Sequence, residues 1–193
     1  LAAWYDFDDL AGLGSGATVP DLSGNGRDAT ILGTGATTVA GQGSAGRALD
    51  LPGGTAGSGA AWVGLPPDLI AADQEDVTLT AWLKPDNARN CEWNVALGET
   101  RSRNVYLFDS ALCGGDSRAG VKTGSTENLA RSPQLATGHW THLAIVLEGG
   151  SKLTAYVNGA VAGSQATASI ASALAAVASP YGGALGKSAY AAD

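Results

Sequence analysis

From Trp140 to Leu147 the chain alternates with a period of two. Trp140, His142, Ala144 and Val146 interleave with Thr141, Leu143, Ile145 and Leu147. That period is a strand's, and apolar residues in both registers predict a strand covered on both sides. Gly149-Gly150-Ser151 then turns the chain. Leu153, Ala155 and Val157 alternate with Thr154 and Tyr156 up to Asn158-Gly159, a strong short hairpin signal. The other clear alternation is Val77–Lys84, with Val77, Leu79, Ala81 and Leu83 on one face and Thr78, Thr80, Trp82 and Lys84 on the other. Further strands are predicted at Ala3–Phe7, Asp28–Leu32, Arg47–Leu51, Ala61–Leu65, Trp93–Gly98, Asn104–Asp109, Arg118–Thr123 and Gly183–Lys187. Turn-rich stretches separate them, which predicts a sandwich or jelly roll. The Ala-rich run Ala166–Ala178 predicts an irregular strand and loop, with a short helix as the alternative. Pro66-Pro67-Asp68-Leu69-Ile70 could open one helical turn.

Composition narrows the function. A chain of 193 residues fits one large all-β domain over 1–193, with two small domains as the less favoured reading. At that size roughly 70% of the unfolded chain's surface is buried, so the core needs no staples. Net charge is −7 with 15% charged residues, which argues against a nucleic-acid partner. No apolar run reaches the ~18 residues that a membrane-spanning helix needs. The start at Leu1, on a strand-like segment, is that of a mature or excised fragment. Cys91 and Cys113 have no CxxC spacing and no further ligands nearby, which leaves a disulfide or two free thiols. A disulfide would stabilise by roughly 3 kcal/mol and would place the protein outside the cell, secreted.

Several blocks in order carry a resemblance: Trp4-Tyr5-Asp6-Phe7-Asp8 followed by Asp21-Leu22-Ser23-Gly24-Asn25-Gly26; Gly46-Arg47-Ala48-Leu49-Asp50-Leu51; Val77–Lys84; and His139–Gly159 followed by Gly183–Lys187. The chain resembles the laminin-G-like, concanavalin A-like lectin and glucanase family. The resemblance implies an antiparallel two-sheet β-sandwich. It also implies a closing strand reading roughly Gly-x-Ile-Asp-(Asp/Glu)-Val-Arg, which the 193 residues lack, so that strand is expected from a longer chain or from elsewhere.

Glucanases of this fold use paired carboxylates, one to protonate the leaving oxygen and one to attack or to activate water. The nearest approach here, Asp73, Glu75 and Asp76, sits at a turn and lacks the alternating pattern, so it reads as a solvated turn. His139 and His142 are three residues apart on a strand and point to opposite faces, which argues against a metal pair or a triad. The loop Asp21-Leu22-Ser23-Gly24-Asn25-Gly26 offers oxygen ligands for Ca²⁺ in Asp21, Asn25 and its backbone carbonyls. The resemblance implies a structural Ca²⁺ near this turn, helped by acidic residues of the last strand, in whose absence Asp8 and Asp9 could contribute. The alternative is a bare turn in which Asp21 bonds backbone amides. Trp4, Trp82 and Trp140 fall at recurring family positions and read as core or sheet-face residues. Trp93 lies outside them, beside Cys91. Trp93 with Arg89, Glu92, Arg101, Arg103 and Asp116 is the expected sugar-binding loop, the alternative being a loop stapled for stability. The expected protein is a non-catalytic carbohydrate-binding or accessory module of a secreted glycoside hydrolase or related enzyme. Its partners would be a polysaccharide or oligosaccharide, a neighbouring catalytic domain, or both. An extracellular adhesion module is the runner-up and a catalytic glucanase the third reading.

Overall fold

A computed structural model describes residues 1–44, 46–55, 57–67, 69–70, 74–86, 92–98, 115–123, 126–167 and 182–188. Its strands are β1 (Thr18–Val19), β2 (Ala29–Leu32), β3 (Thr37–Ala40), β4 (Arg47–Asp50), β5 (Trp62–Leu65), β6 (Val77–Leu83), β7 (Val95–Leu97), β8 (Asp116–Thr123), β9 (Thr126–Pro133), β10 (Thr141–Glu148), β11 (Lys152–Val157), β12 (Ala160–Ala166) and β13 (Gly183–Leu185). One 3-10 turn, Gln42–Ser44, precedes β4. The strands form a five-stranded sheet in the order β1-β2-β5-β13-β7, a four-stranded sheet β12-β11-β10-β6, and two hairpins, β3-β4 and β8-β9. Every strand pairing is antiparallel.

Alternation decides which side of each strand is buried. In β10, Leu143, Ile145 and Leu147 are at most 2% exposed. They stand opposite Val157, Ala155 and Leu153 of β11 and Ala81, Leu79 and Val77 of β6. From the five-stranded sheet Ile31, Val63 and Leu97 join the same core, and from the β8-β9 hairpin Ala119, Val121 and Ala130. Burying one such large aliphatic side chain contributes about 1.5–3 kcal/mol, so this shared interior holds the layers together. The apolar residues of β6 are only half buried, because β6 is an edge: among the described residues it pairs with β10 alone. A Cβ on Gly163, which pairs with Ala155, would run into the carbonyl oxygen of Arg131. Glycine at that point lets β9 lie close against β12.

Two turns set the register of the four-stranded sheet. Gly149 and Gly150 both take positive φ (54° and 58°), as does the pair Asn158 (50°) and Gly159 (81°). Positive φ at both central residues gives the mirror-image turn that suits a right-twisted hairpin. The Asp76 carboxylate accepts the Gly149 amide at 2.6 Å, and the Glu75 carbonyl accepts the Gly150 amide at 2.9 Å.

Several expectations need correcting. Ala3–Phe7 is not a strand. Its backbone bonds go to a turn instead: Trp4 donates its amide to Asp21 and accepts one from Leu22. Phe7 then turns through positive φ, 64°. The strands β1, β3, β9 and β12 were not expected as such. Each is short or rich in small and polar residues, so its apolar alternation is weak. Pro66, Pro67, Leu69 and Ile70 are not part of a helix, and Asp68, in the middle of that expected turn, lies outside the described residues. The predicted strand Asn104–Asp109 and most of Ala166–Ala178 lie outside the described residues; β12 ends at Ala166.

Candidate functional site

Three regions carry the candidate chemistry. The first is the turn at residues 21–28. Asp21 Oδ1 accepts the amides of Trp4 and Ser23, both at 2.9 Å, and Oδ2 accepts the Ser23 hydroxyl at 2.8 Å and the Arg27 amide at 3.0 Å. Asn25 turns its side-chain N–H groups to the carbonyls of Leu1 (2.9 Å) and Ala2 (3.2 Å) and to Ser23 Oγ (3.0 Å). Desolvation pushes the Asp21 carboxyl up, but the bonds from Ser23, Trp4 and Arg27 outweigh it and hold the group well below the usual carboxylate range. Tyr5 closes the back of the turn, its hydroxyl donating to the Arg27 carbonyl at 2.6 Å. Burial, with Asp21 and Asp28 nearby, pushes that phenol up to about 12.

This donor set does not fit the expected calcium. Ca²⁺ needs six to eight oxygens with lone pairs facing it. Both Asp21 oxygens are already occupied by two donors each, and Asn25 presents N–H groups. Asp8 is engaged elsewhere: its Oδ1 accepts the Arg47 amide at 2.6 Å, at the start of β4. Among the described residues no three acidic, histidine or cysteine side chains gather into a metal-binding group.

The second region is the outward face of the four-stranded sheet. Trp82 of β6 stands opposite His142 of β10, with ring centroids 5.2 Å apart and planes at 61°. Trp82 is 49% exposed although it lies inside a strand. Asn158 fixes the backbone beside this pair, its Oδ1 accepting the His142 amide at 3.0 Å and its own amide donating to the His142 carbonyl at 2.8 Å. One row further along the same face run Thr80, Ala144, Tyr156 and Val161. At the end of the sheet, Asn158 and Val161 also line an open groove of about 450 Å³, with Gln134, Leu135, Thr141 and Val157 on its walls. Trp4 is exposed as well (52%), beside exposed Leu22, whereas Trp140 is half buried.

The third region concerns the expected sugar loop. Glu92 and Trp93 are half buried just before β7. Asp116 opens β8, where its Oδ1 accepts Arg118 Nε at 2.9 Å and its Oδ2 accepts Arg131 Nη1. Partial desolvation raises this carboxyl, and the two guanidiniums bring it below its usual value. Arg118 faces Arg131 across the hairpin. Sequence reading missed Arg131 because it missed β9. Arg89, Arg101, Arg103, Cys91 and Cys113 lie outside the described residues, as does Asp73 of the acidic cluster. Glu75 and Asp76 of that cluster fix the β10-β11 turn.

A family model described as the concanavalin A-like lectin/glucanases superfamily matches residues 57–191. The chain belongs to this superfamily. Solved structures agree on the fold. The binding domain of botulinum neurotoxin serotype C1 superposes with a TM-score of 0.62 at 9% identity, over 87% of this chain and 39% of that one. The binding domain of botulinum neurotoxin DC, in complex with SialylT, gives 0.58 at 12% identity, over 79% and 37%. The binding domain of Paraclostridial Mosquitocidal Protein 1 gives 0.55 at 18% identity, over 77% and 37%. The chain thus spans well under half the length of these proteins, and at such identities the likeness is one of fold. No curated protein matches it by sequence. The superfamily's lectin-like sandwich is therefore the frame in which the three regions sit.

Proposed function

We propose that this chain is a non-catalytic carbohydrate-binding module, folded as one unit over residues 1–193. It would be part of a secreted polysaccharide-active enzyme such as a glycoside hydrolase. The observation that carries the reading is Trp82: a half-exposed indole inside a strand, braced by His142, on a sheet whose other face is the protein core. Aromatic side chains with one polar neighbour and one open side are what sugar rings stack on, and a rigid ladder spares the ordering cost that a loop would incur. The superfamily includes lectins, and the botulinum neurotoxin DC binding domain was solved with SialylT. Trp93 with Glu92 remains a second candidate contact beside β7.

A protein-binding role is the competing reading. The same neurotoxin DC binding domain was also solved with rat synaptotagmin II, and the groove beside Val161 is partly aliphatic. Affinity electrophoresis against a panel of polysaccharides separates the two. Retardation by at least one polysaccharide, lost in Trp82→Ala, is the expected result. Unaltered mobility on all of them, together with tight binding to an adjoining domain of the same protein, would sink the carbohydrate reading.

A further inference from the structure

The chain holds two Asn-Gly pairs, Asn25-Gly26 and Asn158-Gly159, and all four residues are exposed. This dipeptide has a chemistry of its own. The backbone nitrogen of the glycine attacks the side-chain Cγ of the asparagine, since no Cβ on the glycine blocks the approach. As the new N–Cγ bond forms, the side-chain nitrogen leaves as ammonia, carrying the proton that the backbone nitrogen gives up. A five-membered succinimide ring remains. Water then adds to one of its two carbonyls and opens it to aspartate or isoaspartate. Water is the only co-reactant, and nothing is oxidised or reduced. The fold must allow two things: the side-chain amide has to come free, and ψ of the asparagine has to take the value that the ring imposes, because the Cα–C bond lies within the ring.

The two pairs meet these demands differently. Asn25 holds its amide nitrogen, the group that has to leave, on the Leu1 and Ala2 carbonyls and on Ser23 Oγ. Freeing it would undo the anchor of the N-terminal segment. Asn158 is held at the other end of its amide: Oδ1 accepts the His142 amide at 3.0 Å, and a carbonyl that accepts a hydrogen bond is the more electrophilic at carbon. The backbone fits as well. Asn158 (φ 50°) and Gly159 (φ 81°) are the central residues of the turn that Val157 and Ala160 close. The ring leaves φ untouched and sets ψ near the value of about −120° at the first central residue of a type II′ turn. That turn also keeps φ positive there, and it is the other two-residue turn that suits a right-twisted hairpin. One flip of the peptide plane between Asn158 and Gly159 therefore admits the ring while β11 and β12 stay paired. A Cβ on Gly159 would meet nothing within 4 Å, so the flip has room.

We infer that Asn158-Gly159 is a self-modifying turn, which cyclises and opens to aspartate and isoaspartate in the folded protein, whereas Asn25-Gly26 is locked. The product acts on the Trp82 face. Aspartate places a negative charge beside His142. Isoaspartate adds a methylene to the backbone of a two-residue turn and shifts β12 against β11. Either change reaches the paired rings of His142 and Trp82.

Ageing the whole chain in warm, mildly alkaline buffer, folded and in parallel in concentrated guanidinium chloride, tests this. Peptide mass mapping follows ammonia loss at each site, and labelling by an isoaspartyl methyltransferase follows isoaspartate. In denaturant both pairs should react at similar rates, because only the following glycine then matters. In the folded chain Asn158 should still lose ammonia, with the succinimide caught as an intermediate, several-fold faster than Asn25. Ser23→Ala, which takes one acceptor from Asn25, should speed the loss there and leave Asn158 as it was. Asn158→Gln, whose longer side chain closes a ring far more slowly, should abolish the loss at 158. Tryptophan fluorescence of the folded parent should drift with the fraction modified, and Asn158→Gln should hold it steady. A melting temperature close to the parent's shows that each variant is folded. Loss at Asn158 no faster than at Asn25 in the folded chain, with both reacting in denaturant, overturns the inference. So does a rate at Asn158 that rises in proportion to the unfolded fraction as denaturant is added, because the reaction then belongs to the open chain. Fluorescence that stays constant while Asn158 is consumed overturns the link to the Trp82 face.

Discussion

Trp4 and Trp82 are both about half exposed, yet their surroundings differ in kind. Trp82 sits in a ladder, with β10 and β11 behind it and the core below. Trp4 sits on an N-terminal segment that belongs to no strand and is held by bonds to residues of the turn at 21–28. The carboxylate holding Trp4 is saturated with donors, whereas the groups around Trp82 keep hydroxyl and amide capacity facing outward. Exposure alone therefore does not separate an anchor from a site. What separates them is whether the hydrogen-bonding groups nearby are used internally or remain free for a ligand.

Removing the anchor should have the largest effect. Asp21→Ala leaves the amides of Trp4, Ser23 and Arg27 without their acceptor. The melting temperature should drop by on the order of 5 °C or more in a domain of this size. Sugar binding at the Trp82 face, measured well below the new midpoint, should survive. If the variant melts like the parent, the turn is not the anchor described here. The acid limb of stability carries the same signature. A carboxyl depressed in the fold contributes stability that is present above its unfolded value, about 3.9, and is lost as pH falls through the lower folded value. The parent should therefore lose stability progressively below about pH 4, and Asp21→Ala should lose less of it over that range. Asp116, depressed by its arginines, supplies part of what remains.

Exchanging the two indoles for alanine puts the comparison directly. Trp82→Ala should cost sugar affinity about tenfold or more, and Trp4→Ala less than about twofold, with either melting temperature only slightly changed. Equal losses would make both indoles part of one binding surface and would remove the distinction between them.

Tyr5 offers a smaller, pH-dependent test of the anchor. Its phenol is raised from 10.0 to about 12. The stability it supplies is full below pH 10 and is lost as pH rises through about 12. Tyr5→Phe should flatten the alkaline decline of the melting temperature in that window while lowering it slightly at neutral pH, where the 2.6 Å bond to Arg27 is gone. An unchanged alkaline limb would show that Tyr5 is not the group titrating there.

Much of the sandwich was legible in the sequence, and the reason is physical. Strands with one face in the core keep a strict alternation, so Val77–Leu83, Thr141–Glu148 and Lys152–Val157 stood out, as did the Asn158-Gly159 turn. What stayed hidden depends on partners far away in the chain. Ala3–Phe7 has a strand's pattern, but its polar backbone is claimed by a turn seventeen residues on. Strand β9 reads as Thr-Glu-Asn-Leu-Ala-Arg-Ser-Pro, and only pairing with β8 brings Arg131 opposite Arg118. The Trp82 face was visible as a list of residues. That its indole is open while the Leu143 side is sealed follows from which side of the ladder faces the second sheet, and composition does not carry that information.

The smallest expected effect is none at all, and it bears on the turn at 21–28. The lectin-like family invites a structural calcium there, and Asp21, Asn25 and Asp8 are the right residue types. The arrangement is wrong for the ion: a carboxylate accepting four hydrogen bonds has no lone pair to spare, the Asn25 amide is turned donor-first, and Asp8 is tied to the Arg47 amide at the start of β4. For calcium to bind, those bonds would have to break and Leu1 and Ala2 would have to release Asn25. Melting the chain with and without excess EDTA, and again with millimolar calcium, should give one midpoint. A calcium-dependent rise of several degrees that vanishes in Asp21→Ala would show that the turn reorganises around the ion. The hydrogen bonds seen here would then be those of a metal-free form, and Trp4, not Trp82, would stand beside the protein's ligand site.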